Sequence, residues 1–86
     1  MQESPIHLIH SFKRSNDEEV QIHVKEYNNK HYVDLRIWFK TKSDPILRPT
    51  KKGISFSLNQ LKEFREGVSK LLKSADNFKP QDGLEI

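Results

Sequence analysis

Residues 31–40 read His-Tyr-Val-Asp-Leu-Arg-Ile-Trp-Phe-Lys, and this stretch decides the fold. Val33, Leu35, Ile37 and Phe39 alternate with Tyr32, Asp34, Arg36, Trp38 and Lys40. Successive side chains of a strand point to opposite faces, so alternation sustained over ten residues is the period of a half-buried β-strand. It predicts one apolar face, which buries Phe39, and one outward face carrying Arg36, Trp38 and Lys40. Upstream, Val20, Ile22 and Val24 alternate with Gln21, His23 and Lys25, a second such strand ending near Tyr27. Asn28-Asn29 separates the two, and Asn tolerates positive φ, so a tight hairpin is the economical connection.

Downstream, Ser43-Asp44-Pro45 breaks the pattern. Residues 46–52 read as a short irregular strand, with Pro49 favouring an edge. Gly53 then opens a last strand, in which Ile54, Phe56 and Leu58 alternate with Ser55 and Ser57. Ser57-Leu58-Asn59-Gln60 matches a helix capping box. Leu61, Phe64, Val68, Leu71, Leu72 and Ala75 follow at helical spacing, one apolar stripe on a helix of about four turns. Gly67 sits beside that stripe, where a close helix–helix approach would justify it. Near the start, Ile6, Leu8, His10 and Phe12 alternate, so residues 1–19 form an edge strand or a loosely held arm. Residues 20–75 form the domain, and residues 76–86, with Pro80 and Gly83, a flexible tail. The order is β-β-β-β-α, an α+β fold with one amphipathic helix lying against one face of a small antiparallel sheet.

A chain of 86 residues, 34% of them apolar, with a mean hydropathy of −0.81, supports only a thin core. Small domains supplement such a core with disulfides, a metal or a partner subunit. Cysteine is absent, so self-association is the expected supplement. Phe64, Gly67, Val68 and Leu71 on the helix stripe are its expected contact. No apolar run approaches the roughly 18 residues that cross a bilayer, and no secretory signal is visible. A soluble intracellular protein is expected, with no membrane partner: cytoplasmic and nucleoid-associated in a bacterium, nuclear in a eukaryote.

The positive charge is concentrated. Residues 25–52 carry eight basic side chains (Lys25, Lys30, Arg36, Lys40, Lys42, Arg48, Lys51, Lys52) against three acidic ones. The flanking segments are acidic or neutral. A local basic field suits a polyanion, although Lys and Arg are mostly exposed in any protein. Tyr27, Tyr32, Trp38 and Phe39 fall inside the same segment. Aromatic rings among cations on strands favour unpaired bases, which offer π-faces that a duplex hides. Trp38 and Tyr32 either stack on bases or fill a dimer interface, and alternation alone does not choose between them.

Catalysis finds no support. The sequence has no Gly-rich phosphate loop, no nucleophile context and no acid pair. The four histidines are the sole candidates for base or metal work. His7 and His10 are three apart, which on a regular strand puts them on opposite faces. His23 and His31 fall in separate elements, so structural or surface roles are expected. No catalytic residue, metal or cofactor is assigned.

These residues, taken together, resemble a known family. Val33-Asp34-Leu35-Arg36, the pair Trp38-Phe39, Arg48-Pro49-Thr50-Lys51-Lys52-Gly53-Ile54-Ser55 and the amphipathic helix are similar to the transcriptional positive-coactivator (p-fifteen type) family, over about residues 20–73. Lys25-Glu26-Tyr27 fits the family's first-strand pattern. The resemblance implies a dimer of curved four-stranded sheets, each followed by one helix, that holds single-stranded DNA with little sequence preference. Carried over by position, Lys25, Tyr27, Lys30, Arg36, Phe39, Arg48, Lys51 and Lys52 match basic or aromatic places of the binding surface. Trp38 matches members in which Trp follows the Arg by two residues, whereas others place the aromatic three after it, where this chain has Phe39. It is favoured over Phe39 because alternation buries Phe39. Lys40 joins the set by sharing the face of Arg36 and Trp38. Asn28 stands where the family has a basic turn residue, and Thr50 where Gly is familiar. The absence of a Ser- and Lys-rich arm points to a compact bacterial or phage relative. Two other readings are a protein-interaction module contacting the transcription machinery and a single-stranded-RNA binder.

Overall fold

The computed structural model describes residues 6–78. Four antiparallel strands, β1 (Ile6–Lys13), β2 (Glu18–Tyr27), β3 (Lys30–Phe39) and β4 (Arg48–Ser57), form one sheet in sequence order. A single 3₁₀ turn (Leu58–Gln60) leads into the helix α1 (Leu61–Ser74), and a second (Ala75–Asn77) closes it. This is the expected α+β order, four strands and then one helix.

The β2–β3 hairpin is the most regular part. Its pairing runs without a shift from Tyr27–Lys30 to Glu18–Phe39. Asn28 and Asn29 have φ of 53° and 64°, the two left-handed residues that a two-residue hairpin loop needs to match strand twist. Register then assigns the faces. Glu19, Gln21, His23 and Lys25 pair with Trp38, Arg36, Asp34 and Tyr32 on one side, hereafter the polar face. Val20, Ile22 and Val24 pair with Ile37, Leu35 and Val33 on the other.

Three features differ from the pattern read in the sequence. First, residues 46–52 and 53–58 are not two strands. Arg48–Ser57 is one strand with an irregularity in its middle, and β1 supplies the fourth. Between the Arg36–Gly53 and Trp38–Pro49 pairs, β4 uses two more residues than β3. Thr50 stitches this bulge, its Oγ1 donating to the Ile37 carbonyl at 2.7 Å and accepting from the Lys52 N–H at 3.2 Å. A bulge sharpens strand twist and bends the sheet, and one in mid-strand breaks alternation much as a turn would. Second, β1 carries a bulge between Leu8 and His10. His7 and His10 therefore pair with Val24 and Ile22 and share the apolar side, rather than lying on opposite faces. Third, α1 does not lie against the sheet.

The helix begins as expected, with the Ser57 N–H donating to Gln60 Oε1 at 3.3 Å. Phe64 packs on Phe56 with ring centroids 5.3 Å apart. Beyond this contact the helix departs: every residue from Leu61 to Lys73 is exposed. The described residues span 47 × 39 × 17 Å, a flat body. Among the described residues one apolar side chain, Val33, is buried. Residues 1–5 and 79–86, including most of the expected tail, lie outside the described residues.

Candidate nucleic-acid interface

The polar face is organised around Asp34. It is 2% exposed, more deeply buried than Val33 on the apolar side. Two residues along a strand return to the same face, so Asp34 and Arg36 stand side by side. Arg36 grips the carboxylate with both arms, Nε to Oδ2 at 3.1 Å and Nη2 to Oδ1 at 2.8 Å. Its third arm, Nη1, donates to the Thr50 carbonyl at 2.9 Å, tying β3 to the bulge of β4. Lys25 approaches from β2, its Nζ 3.8 Å from Asp34 Oδ1. Burial alone would raise the Asp34 pKa. The Arg36 hydrogen bonds, with Lys25 beside them, outweigh burial and hold the carboxyl below its ordinary range. A planar guanidinium held in a fork is fixed in direction as well as in charge.

Gly53 makes this arrangement possible. It pairs with Arg36, and a Cβ built on it would lie 2.6 Å from the Leu35 carbonyl oxygen and 2.9 Å from Arg36 Cα. Those neighbours are backbone and cannot turn away. Any other residue pushes β4 outward just where Arg36 reaches across to Thr50.

His23 and Trp38 complete the face. Their rings stack at 5.1 Å, inclined by 28°. His23 pairs with Asp34 and Trp38 with Glu19, four residues apart along β2, or about 13 Å at strand rise. The two rings therefore lean toward each other across the Gln21–Arg36 row. This cover explains why Gln21 and His23 are 7% and 6% exposed on a face that α1 does not overlie. Burial lowers the His23 pKa below its ordinary value, with Asp34 opposing and Lys25 reinforcing that effect.

The residues singled out in the sequence fall into three groups. Lys25, Tyr27, Lys30, Arg36 and Trp38 lie on the polar face by register. Lys51 and Lys52 are exposed in the β4 bulge, next to the Thr50 carbonyl that Arg36 holds. Lys40 follows the end of β3, its N–H bonded to the Asp17 carbonyl at 3.0 Å. Phe39 and Arg48 pair with each other on the opposite side from Arg36. Arg48 is engaged by Asp44, Nε to Oδ2 at 2.6 Å. The expected burial of the neighbouring rings is reversed: Phe39 is 41% exposed, whereas Trp38 rests on His23 with its Nε1 buried. Alternation gives the faces correctly but not the cover, because α1 never reaches the Phe39 end of the sheet.

On the helix, Phe64, Val68 and Leu71 are exposed. Nothing lies within 4 Å of a Cβ built on Gly67. Asp34, Gly53 and His23 are the residues the sequence reading passed over. Asp34 had a legible signal, an acid two residues from an arginine on one strand face. The signal for Gly53, a close backbone crossing, exists only in three dimensions. Among the described residues no group of three or more His, Asp or Glu is placed to hold a metal, and no helix is long and apolar enough to cross a membrane.

The family model for Transcriptional Coactivator p15 (PC4) matches residues 14–67, a span that includes the hairpin, the Asp34–Arg36 fork, the bulged β4 and the first half of α1. The chain belongs to the PC4 family. Its fold is similar to that of a PC4 homologue from Burkholderia pseudomallei, with a TM-score of 0.69 and 27% identity over 81% of this chain and 98% of that one. A second crystal form of the same homologue gives a TM-score of 0.66. The bacteriophage T5 homologue of the eukaryotic coactivator PC4, implicated in recombination-dependent DNA replication, shares the fold at a TM-score of 0.59 and 21% identity, over 84% of this chain and 80% of that one. No curated protein sequence matches the chain. The resemblance read from residues 20–73 is thus borne out at the level of family and fold, with bacterial and phage proteins among its structural relatives.

Proposed function

We propose that this PC4-family chain is a non-enzymatic homodimer that binds single-stranded DNA with little sequence preference on the polar face of its sheet. The observation that carries this reading is the gathering of Lys25, Lys30 and Arg36 with Tyr27 and Trp38 on one face, bordered by the exposed Lys51 and Lys52. Cations at strand spacing track phosphates, and rings among them accept bases at roughly 1–3 kcal/mol each. Tyr27 offers an exposed ring on that face; Phe39 is exposed on the other side of the sheet. Trp38 offers the side turned away from His23.

The other side of the sheet supports the dimer. Val20, Leu35, Ile37 and Ile54 line a shallow apolar depression, and the stripe of Phe64, Val68 and Leu71 stands exposed on α1. With one buried apolar side chain among the described residues, a lone copy lacks a closed core. A second copy supplies a helix stripe of matching chemistry, and Gly67 leaves room for its approach. The acting site is soluble and intracellular.

Trp38 is the only tryptophan, so its fluorescence reports the face directly. Titration with oligo-dT should give saturable binding whose log K falls with log[salt] at about −0.7 per phosphate contact. A duplex of the same length should bind far more weakly. Equal affinity for duplex, or binding indifferent to salt, overturns the single-strand reading. Preference for oligo-U would reassign the target to RNA.

A further inference from the structure

The stacked pair of His23 and Trp38 is not accounted for by phosphate tracking or by dimer formation. His23 is deeply buried, yet among the described residues its Nδ1 has no hydrogen-bond partner, and neither has Trp38 Nε1. Buried polar groups are nearly always satisfied, and two apolar rings in the same places would stack without leaving any nitrogen unpaired. An arrangement that retains two unpaired nitrogens in one contact calls for a role beyond packing.

We propose that His23 is a positioning residue for Trp38: its imidazole holds the indole in one pose over the Gln21–Arg36 row, so that a single-stranded base meets a fixed ring. The inference rests on the single-strand reading above. The geometry supports it in three ways. The rings stack at 5.1 Å, although their strand positions lie two rows apart. Each ring therefore owes its direction to the other. The row they cross contains Arg36, already fixed by Asp34 and Thr50, so ring and cation are presented as one rigid unit. His23 is itself fixed among its neighbours. Gln21 and Lys25 flank it on β2, with Glu19 held to Gln21 Nε2 at 3.0 Å. Asp34 and Arg36 face it from β3, and Leu8 pairs with it from β1. A ring fixed before binding loses no rotamer freedom when a base arrives, and freezing one side chain is worth roughly 2- to 12-fold in affinity.

The pair also reports on itself. Imidazolium beside an indole alters the indole's emission, so Trp38 fluorescence should track the charge of His23. His7, His10 and His31 pair with Val24, Ile22 and Glu26, and so belong to the opposite side of the sheet.

The test uses the full chain and three variants, His23→Phe, His23→Ala and Trp38→Ala. In free wild-type protein, Trp38 emission should step with pH, at a midpoint below the ordinary histidine value of about 6.5. His23→Phe should abolish the step while keeping the stack, and bind oligo-dT within about twofold of wild type. His23→Ala should abolish the step and weaken oligo-dT binding by roughly 2- to 12-fold. In a Trp38→Ala background, read by oligonucleotide fluorescence, His23→Ala should cost nothing further, because its effect passes through Trp38. The role is overturned if the step persists in His23→Phe, if His23→Ala binds like wild type, or if it costs as much without Trp38 as with it. If wild-type protein does not bind oligo-dT at all, the single-strand reading fails and takes this role with it. The emission step in free protein then shows whether the stack alone survives.

Discussion

The two faces of the sheet reverse the usual pattern of burial. On the apolar side, Val33 is buried, whereas Ile54 and the helix residues Phe64, Val68 and Leu71 stand exposed. On the polar side, Gln21, His23 and Asp34 are all buried, although α1 does not cover them. The polar side closes itself with short-range contacts: a bidentate arginine, a bulge tied by Thr50 and two stacked rings. The apolar side has no such means. Apolar area is stabilising only when something removes it from water, and this chain sends its helix away from its own sheet. One face is therefore complete in a single copy, and the other is left open for the second copy proposed above. For the proposed binding of a polyanion this division is useful, since the charged face would keep its geometry whatever happens at the proposed dimer contact.

The largest effect should come from breaking the incomplete side. Leu71→Asp puts a carboxylate into the contact proposed between copies. A buried charge without a partner costs about 3–5 kcal/mol, a large fraction of what a domain this small has to lose. Sedimentation should show loss of the dimer, and thermal melting should lose its cooperativity. A Leu71→Asp chain that stays dimeric would mean that the copies meet elsewhere, and a wild-type chain that sediments as a folded monomer would remove the reason for treating the apolar face as unfinished.

A smaller effect should come from the complete side. Asp34→Asn keeps the shape of the side chain but removes the charge that Arg36 and Lys25 face. Breaking a buried pair costs several kcal/mol. Arg36 keeps some exposure and can turn toward water, so about 2–4 kcal/mol is expected near neutral pH. The sign of the pH dependence follows from the lowered Asp34 pKa. A carboxylate depressed in the folded state contributes its stability above the unfolded value of about 3.9 and loses it as pH falls through the folded value. The gap between wild type and Asp34→Asn should therefore close in acid. His23 adds a separate limb. Its folded pKa is also lowered, so wild-type stability should be full above about pH 6.5 and decline as pH falls below it. Unlike Leu71→Asp, Asp34→Asn should remain a dimer. Urea melts across pH, with sedimentation alongside, separate the two faces.

How much of this division could be read from the sequence depends on the range of the interaction that sets it. Alternation in residues 31–40 places Arg36 and Trp38 together and Val33, Leu35 and Ile37 opposite them, because side-chain direction on a strand is a local property. The Asn28-Asn29 hairpin and the Ser57–Gln60 helix start are equally local. The β1 and β4 bulges were not legible, since a bulge is a relation between two strands. Missing the first misplaced His10, and missing the second split β4 in two. Cover was least legible of all. Phe39 is exposed and Trp38 packed because of where the helix goes and where His23 leans. Neither is encoded in the period of β3. The same holds for Asp34, read as one polar residue in an outward row and found to be the most buried side chain described.

The smallest of these effects is expected at Gly53, where the two faces share a backbone. Gly53→Ala adds one methyl group, and that methyl would sit 2.6 Å from the Leu35 carbonyl oxygen. Overpacking by one group costs typically about 1–3 kcal/mol, so the dimer should survive with a lowered melting temperature. The informative part is how the damage divides between the faces. Gly53 pairs with Arg36, and β4 is anchored there from the polar side by the Arg36 hydrogen bond to Thr50. Pushing β4 away lengthens that bond and frees the guanidinium, while at the next pair along, Leu35–Ile54, Ile54 is already exposed and has little packing to lose. Gly53→Ala should therefore lose oligo-dT affinity out of proportion to its loss of stability, with the dimer constant nearly unchanged. Lys52→Gln, one residue earlier in the exposed bulge, makes the useful control. It should lower affinity through charge alone and flatten the salt slope by about 0.7, whereas Gly53→Ala should leave that slope close to wild type if Arg36 keeps its charge near the strand. If Gly53→Ala instead dissociates the dimer and binds oligo-dT normally once reassembled, the close crossing of β3 and β4 serves the apolar side, and the polar face is less self-sufficient than its buried network implies.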